Sequence, residues 1–143
     1  MSEFIWPVRV YYEDTDSGGV VYHSMYLNFM ERARTEWLRS LHLEQDDIIN
    51  EHGIMFVVRS VAIDYLKPAL FNDALIVQSS LKKLGKVSLV FEQVIMRQGC
   101  DQNKDEILTK AIVKVASLNV NQKKPAAMPE AVYNRFVHHS KKD

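Results

Sequence analysis

Tyr22-His-Ser-Met-Tyr-Leu-Asn-Phe-Met-Glu-Arg-Ala-Arg-Thr-Glu-Trp-Leu-Arg-Ser-Leu41 carries the pattern of one long, deeply packed helix. Tyr26, Met30, Ala33, Trp37 and Leu41 recur at the spacing of a single helical face. Phe29 and Leu38 widen that stripe, so a sheet is the expected partner. Glu31, Arg32, Thr35, Glu36 and Arg39 fill the other face, as a solvated side does.

Strand-like segments lie on both sides of this helix. Upstream, residues 4–12 are rich in β-favouring types (Phe4, Ile5, Val8, Val10, Tyr11, Tyr12), and Pro7 suggests a sheet edge. Asp14-Thr-Asp-Ser-Gly-Gly19 is a dense turn signal. Downstream, residues 44–52 read as a short second helix ending near Gly53. Strands are expected over 56–66, 74–82, 87–97 and 107–120, with a break at Lys67-Pro68. Lys83–Lys86, around Gly85, reads as a hairpin turn, and Gly99–Asp105 as a longer one. Residues 128–136 read as a terminal helix with Pro129 in its first turn.

No repeat or Pro-, Gly- or Ser-rich linker divides the chain, so residues 1–143 are expected to form one domain. One helix followed by a run of strands implies an α+β class, the helix lying on one face of the sheet. A long central helix wrapped by a curved antiparallel sheet of about five strands is the hotdog fold. Such a sheet has unpaired edges, and joining two edges would give a dimer with one continuous sheet.

Composition narrows the function classes. The 143 residues are 47% hydrophobic and 25% charged, which is ordinary for a globular protein. Eighteen basic and 18 acidic residues cancel, which argues against a general nucleic-acid binder. No apolar run reaches the roughly 18–20 residues of a membrane helix, and Met1–Pro7 lacks the features of a signal peptide. A single cysteine, Cys100, excludes an internal disulfide; it reads as a bystander thiol on a polar loop and fits a reducing compartment. The expected location is the cytoplasm.

The chemistry is concentrated in Tyr12-Glu-Asp-Thr-Asp-Ser-Gly-Gly-Val-Val-Tyr-His-Ser-Met-Tyr26. Two carboxylates, Asp14 and Asp16, precede two glycines and a helix start at Tyr22-His23. A helix N-terminus presents unpaired N–H groups and the positive end of the helix dipole. It suits an oxygen that becomes negative during acyl transfer. Gly18 and Gly19 allow a ligand to approach the backbone closely. A carboxylate just upstream is placed to attack, or to activate water, at the same carbonyl. Plainer readings stand beside this one: either Asp as a turn cap, His23 as a polar surface group. A calcium loop also begins Asp-x-Asp-x-Gly, but here the third ligand position is Gly18 and the twelfth is Met25, so no metal is expected.

This segment, together with Phe29-Met-Glu-x-Ala-Arg34 and Glu36, resembles the 4-hydroxybenzoyl-CoA thioesterase family. It is most similar to the branch of Tol–Pal system-associated acyl-CoA thioesterases. Asp64-Tyr-Leu-Lys-Pro68 and Asp73 extend the resemblance, which weakens from about residue 121. The resemblance implies hydrolysis of acyl-CoA thioesters, expected to be short-chain, without a cofactor. It implies that Asp16 is the catalytic carboxylate, as nucleophile or as general base for water. The backbone N–H near His23 would polarise the carbonyl, the His23 side chain would position substrate or water, and Tyr22 and Gly19 would shape the substrate site. A related branch uses a carboxylate on the central helix, where Glu31 is the candidate. The resemblance further implies a homodimer or homotetramer with sites at subunit interfaces, and a link to the cell envelope and phospholipid metabolism. For the CoA phosphates, Lys82, Lys83 and Lys86 form the best local basic cluster; a charged hairpin tip resisting aggregation is the plain alternative. Two rival functions fit the same fold: a hydratase acting on acyl-CoA or acyl carrier protein thioesters, and a scaffold that binds acyl carrier protein with little catalysis.

Overall fold

A computed structural model describes residues 3–99 and 105–140; Cys100 lies outside the described residues. The chain runs β1 (Glu3–Arg9), α1 (His23–Ser40), α2 (Gln45–His52), β2 (Ile54–Tyr65), β3 (Ala74–Leu84), β4 (Ser88–Arg97), β5 (Glu106–Asn119) and α3 (Glu130–Ser140). The five strands make one sheet in the order β1-β3-β4-β5-β2, antiparallel throughout. This is the hotdog architecture.

The expected stripe on α1 is the buried one. Tyr26, Phe29, Met30, Ala33, Trp37 and Leu38 are all buried. They meet the inward side chains of the sheet, among them Val77 and Leu81 from β3, Phe91 and Ile95 from β4, and Val113 from β5. α1 and the sheet also share a buried polar tie. Gln93 Nε2 donates to the Met30 carbonyl (3.0 Å) and to Ser79 Oγ (2.9 Å), and its Oε1 accepts from Arg34 Nη1 (2.8 Å). Each buried polar group there has a partner, so the tie fixes the helix on the sheet, although burial of the Arg34 guanidinium lowers its pKa.

Gly53 ends α2 in the left-handed conformation, at φ 64°, the glycine stop expected there. Pro7 lies on β1, an edge strand, where a missing N–H is tolerated. The first strand is shorter than expected, however. It stops at Arg9, because Asp14, which is buried, accepts the Tyr11 N–H at 2.9 Å and curls residues 12–14 into a 3-10 turn. A local side-chain bond outcompetes the sheet ladder there. The terminal helix starts after Pro129, whose carbonyl accepts the Val132 and Tyr133 N–H groups at 3.0 Å. No helix among the described residues is long and apolar enough to cross a membrane.

Candidate functional site

The two upstream carboxylates separate into different roles. Asp14 is a structural cap: its carboxylate holds Tyr11 N–H, and its carbonyl accepts the Tyr22 N–H at 3.1 Å. Asp16 stands exposed on the following loop. Its Oδ1 accepts Gly18 N–H (2.8 Å) and Val20 N–H (3.4 Å), while Oδ2 has no partner among the described residues. A bridge between Thr15 and Val21 closes the loop, and the Asp16 N–H donates to the Val20 carbonyl at 2.9 Å. Gly19 makes the return at φ +83°, a conformation that costs a non-glycine residue roughly 1–2 kcal/mol.

α1 begins directly after this loop. Tyr22 occupies the N-cap position without a side-chain cap, and no acidic residue sits in the first turn. The Met25 N–H bonds back to the Tyr22 carbonyl at 2.9 Å, but the His23 and Ser24 N–H groups meet no acceptor among the described residues. Two backbone donors at the positive end of the helix are thus left to a ligand. The His23 ring lies 4.8 Å from the Tyr65 ring, whose hydroxyl donates to the His23 carbonyl at 3.3 Å. Tyr22 extends the aromatic group, 6.3 Å from His23. A cavity of about 210 Å³ opens beside His23, lined by Val20, Tyr26, Tyr65, Lys67 and Pro68 among others. Burial raises the pKa of the Tyr26 phenol, whose oxygen accepts the Ala69 N–H at 3.0 Å.

Tyr65 is the member of this group that sequence reading missed as a site residue. It entered only within Asp64-Tyr-Leu-Lys-Pro68 of the resemblance, without a role, and nothing local marks it as reaching His23, 42 residues away in sequence. Glu31, the alternative carboxylate, stands elsewhere. It lies eight residues along α1 from His23, about 12 Å. It accepts from Thr35 Oγ1 at 2.6 Å and lines a separate cavity of about 230 Å³ with Arg34, Leu38, Phe56 and Phe91.

The three candidate lysines do not converge. Lys82 pairs with Glu92 at 3.7 Å. Lys86 borders a cavity beside Met128, Glu130 and Tyr133 of the C-terminal segment. Lys83 instead meets Arg59 and Lys114 around a cleft of about 380 Å³, with Ser60 and Ser88. The register explains the split. The bulge between Leu81 and Lys83 sets Lys83 opposite Val90, Val90 opposite Lys114, and Lys114 opposite Ser60. A second bulge, between Val58 and Ser60, contains Arg59. Bulges re-aim side chains in this way.

A family profile described as the thioesterase-like superfamily matches residues 10–136. The chain belongs to that superfamily. The resemblance read from residues 12–36 is therefore borne out at the level of the family. Among curated relatives of this superfamily member, the acyl-CoA thioesterase YbgC of Haemophilus influenzae is 46% identical over 135 residues, covering 94% of this chain and 95% of the relative. The acyl-CoA thioester hydrolase YbgC of Escherichia coli is 42% identical over 133 residues, covering 93% and 95%. A solved structure, a probable thioesterase from Bartonella henselae, superposes with a TM-score of 0.79 at 31% identity, covering 90% of this chain and all of that one.

Proposed function

We propose that this protein is an acyl-CoA thioesterase that uses Asp16 as its catalytic carboxylate. The observation that carries the reading is a carboxylate with a free oxygen, on a loop bridged to a helix start that offers two free N–H groups. The names of the two relatives support the substrate class. The thioester carbonyl oxygen accepts from the His23 and Ser24 N–H groups. Asp16 attacks the carbonyl carbon, giving an acyl–Asp16 anhydride that water then hydrolyses to the free acid, or it takes a proton from the water that attacks directly. The oxyanion forms where the helix dipole favours it, and collapse expels the CoA thiolate. The His23 ring orients substrate or water, Tyr22 borders the acyl group, and Gly19 keeps the backbone open to it.

The active form in this reading is a homodimer, able to pair into a tetramer, joined along β2. That edge strand exposes Val58, Val61 and Tyr65. Antiparallel pairing about Ser60, the middle of its exposed stretch, sets Tyr65 opposite the partner's Met55. Each His23 region then borders the partner's Glu31 cavity, and the site is shared. The protein acts in the cytoplasm on short acyl chains, with acyl carrier protein as a second thioester donor, in a role tied to the Tol–Pal envelope system and phospholipid turnover. The test is thiol release from a panel running from short to long and aromatic acyl-CoA and acyl carrier protein thioesters. Turnover of short acyl-CoA supports the reading. An enoyl absorbance change without thiol release, or binding of acyl carrier protein without any turnover, sinks it.

The CoA phosphates sit on Lys83, Arg59 and Lys114 in this reading. No carboxylate pairs with any of the three among the described residues. The double variant Lys83→Gln/Lys114→Gln is expected to raise KM for acyl-CoA about 5- to 10-fold with kcat unchanged, at roughly 0.5–0.7 kcal/mol per exposed charge. An acyl-pantetheine substrate, which lacks the nucleotide phosphates, should show no change. Equal effects on both substrates would remove the cleft from this role.

A further inference from the structure

We propose that Arg97 is a positioning residue for this site: it holds the loop after β2 against the start of α1 and so sets where Asp16 and the free N–H groups stand. The proposal rests on the thioesterase reading above. Arg97 ends β4, far in sequence from the loop and helix it would control.

All three guanidinium nitrogens are engaged, each on a different segment. Nε donates to Asp73 Oδ2 at 2.9 Å, at the threshold of β3. Nη1 donates to Glu106 Oε1, at the start of β5. Nη2 donates to the Pro68 carbonyl at 2.6 Å, in the loop itself. Lys67 completes the cluster, donating to Glu106 Oε2 at 2.7 Å. The Glu106 carboxyl is held below its ordinary pKa by Lys67 first and then by Arg97. Asp73 also accepts the Leu70 N–H at 2.8 Å, which closes the loop on its far side.

The next residue after Pro68 carries the connection onward. Ala69 is fully buried. Its N–H donates to the Tyr26 hydroxyl at 3.0 Å, and its carbonyl accepts the Val21 N–H at 2.9 Å. Leu70 bridges Val20. The Pro68–Ala69 peptide thus links the guanidinium to the Tyr26 bond that locates the first turn of α1, and the next peptide unit carries the Val21 bond at the closing end of the Asp16 loop. Val20 and Val21 are the residues against which Asp16 and Thr15 are paired. A planar fork with fixed donor directions can hold three acceptors on three segments at once; a lysine, a point charge on a flexible stem, cannot. Small displacements of reacting groups are costly in rate, on the order of 10²-fold per ångström.

The experiment compares Arg97→Met and Arg97→Lys with Arg39→Gln, which breaks the exposed ion pairs to Glu36 and Glu44 at the other end of α1. Steady-state kinetics on a short acyl-CoA, well below every variant's Tm, give kcat and KM separately; amide hydrogen exchange gives the local order. Arg97→Met is expected to lower kcat about 10-fold or more with KM within about threefold. Arg97→Lys should recover little of that loss, and Arg39→Gln should match wild type. The Val21 amide should exchange faster in Arg97→Met, with the Phe91 and Val113 amides of the central strands unchanged. A kcat for Arg97→Met within twofold of wild type overturns the proposal. So does a loss accompanied by equal acceleration of exchange across the sheet, which marks general destabilisation. If wild type releases no thiol from any thioester, the proposed activity fails, and the Val21 exchange comparison alone decides the role of Arg97.

Discussion

Asp16→Asn is expected to lower kcat by about 10²-fold or more while the protein stays folded and KM changes little. The substitution is close to isosteric. An asparagine oxygen can accept the Gly18 and Val20 N–H groups as Oδ1 does now, so the turn survives. What disappears is the negative charge on Oδ2, the oxygen that has no partner among the described residues. A carboxylate whose work was only to shape the turn would lose nothing measurable. Thiol release under saturating acyl-CoA, with circular dichroism and Tm as the check on folding, separates the two outcomes. Turnover within about threefold of wild type would take Asp16 out of the chemistry. Glu31→Gln is the companion variant: it should leave kcat near wild type, and a large loss there would move the catalytic carboxylate to the central helix.

Trp37→Ala is expected to cost about 3–5 kcal/mol of stability, the cost of truncating a fully buried Trp. Trp37 is 1% exposed and joins four elements. Its ring stacks on Phe4 of β1 with centroids 6.1 Å apart, and meets Phe91 of β4 edge-on at 5.4 Å. Its Nε1–H donates to His139 Nε2 of α3 at 3.1 Å. Removal leaves a cavity between the helix and the sheet and withdraws the indole donor from α3. Domains of this size are stable by about 5–15 kcal/mol, so the loss takes a large share of the total. With a urea m-value of about 1–3 kcal/mol/M, the midpoint should fall by more than about 1 M. Circular dichroism is the suitable probe, since the variant removes a reporter indole. A shift under about 0.3 M would show that the surrounding side chains collapse into the space.

The elements themselves were legible because their signals are local. The α1 stripe is a spacing of side chains along one chain segment, and Gly53 and Pro7 act through their own backbone chemistry. The shortened first strand was not legible: the competition between a ladder bond and the Asp14 cap is decided by geometry, and both residue types were compatible with either result. The same ambiguity covered the candidate site. By residue type and local pattern Asp14 and Asp16 do not differ, and only the family resemblance singled out Asp16; in the fold one is 6% exposed and the other is open to solvent.

By itself, then, the sequence determined a long amphipathic helix, a set of antiparallel strands and an acidic glycine turn feeding a helix start, and its motif pointed to the superfamily. Only the tertiary structure decided which carboxylate faces outward, that the Tyr65 ring meets the His23 ring, that Lys83 joins Arg59 and Lys114, and that Arg97 reaches Pro68. The physical reason is one of range. Propensity and periodicity act within a few residues, whereas these placements follow from strand order, two bulges and the register of pairs distant in sequence. A shift of one residue in that register would turn the same side chains to the opposite face of the sheet.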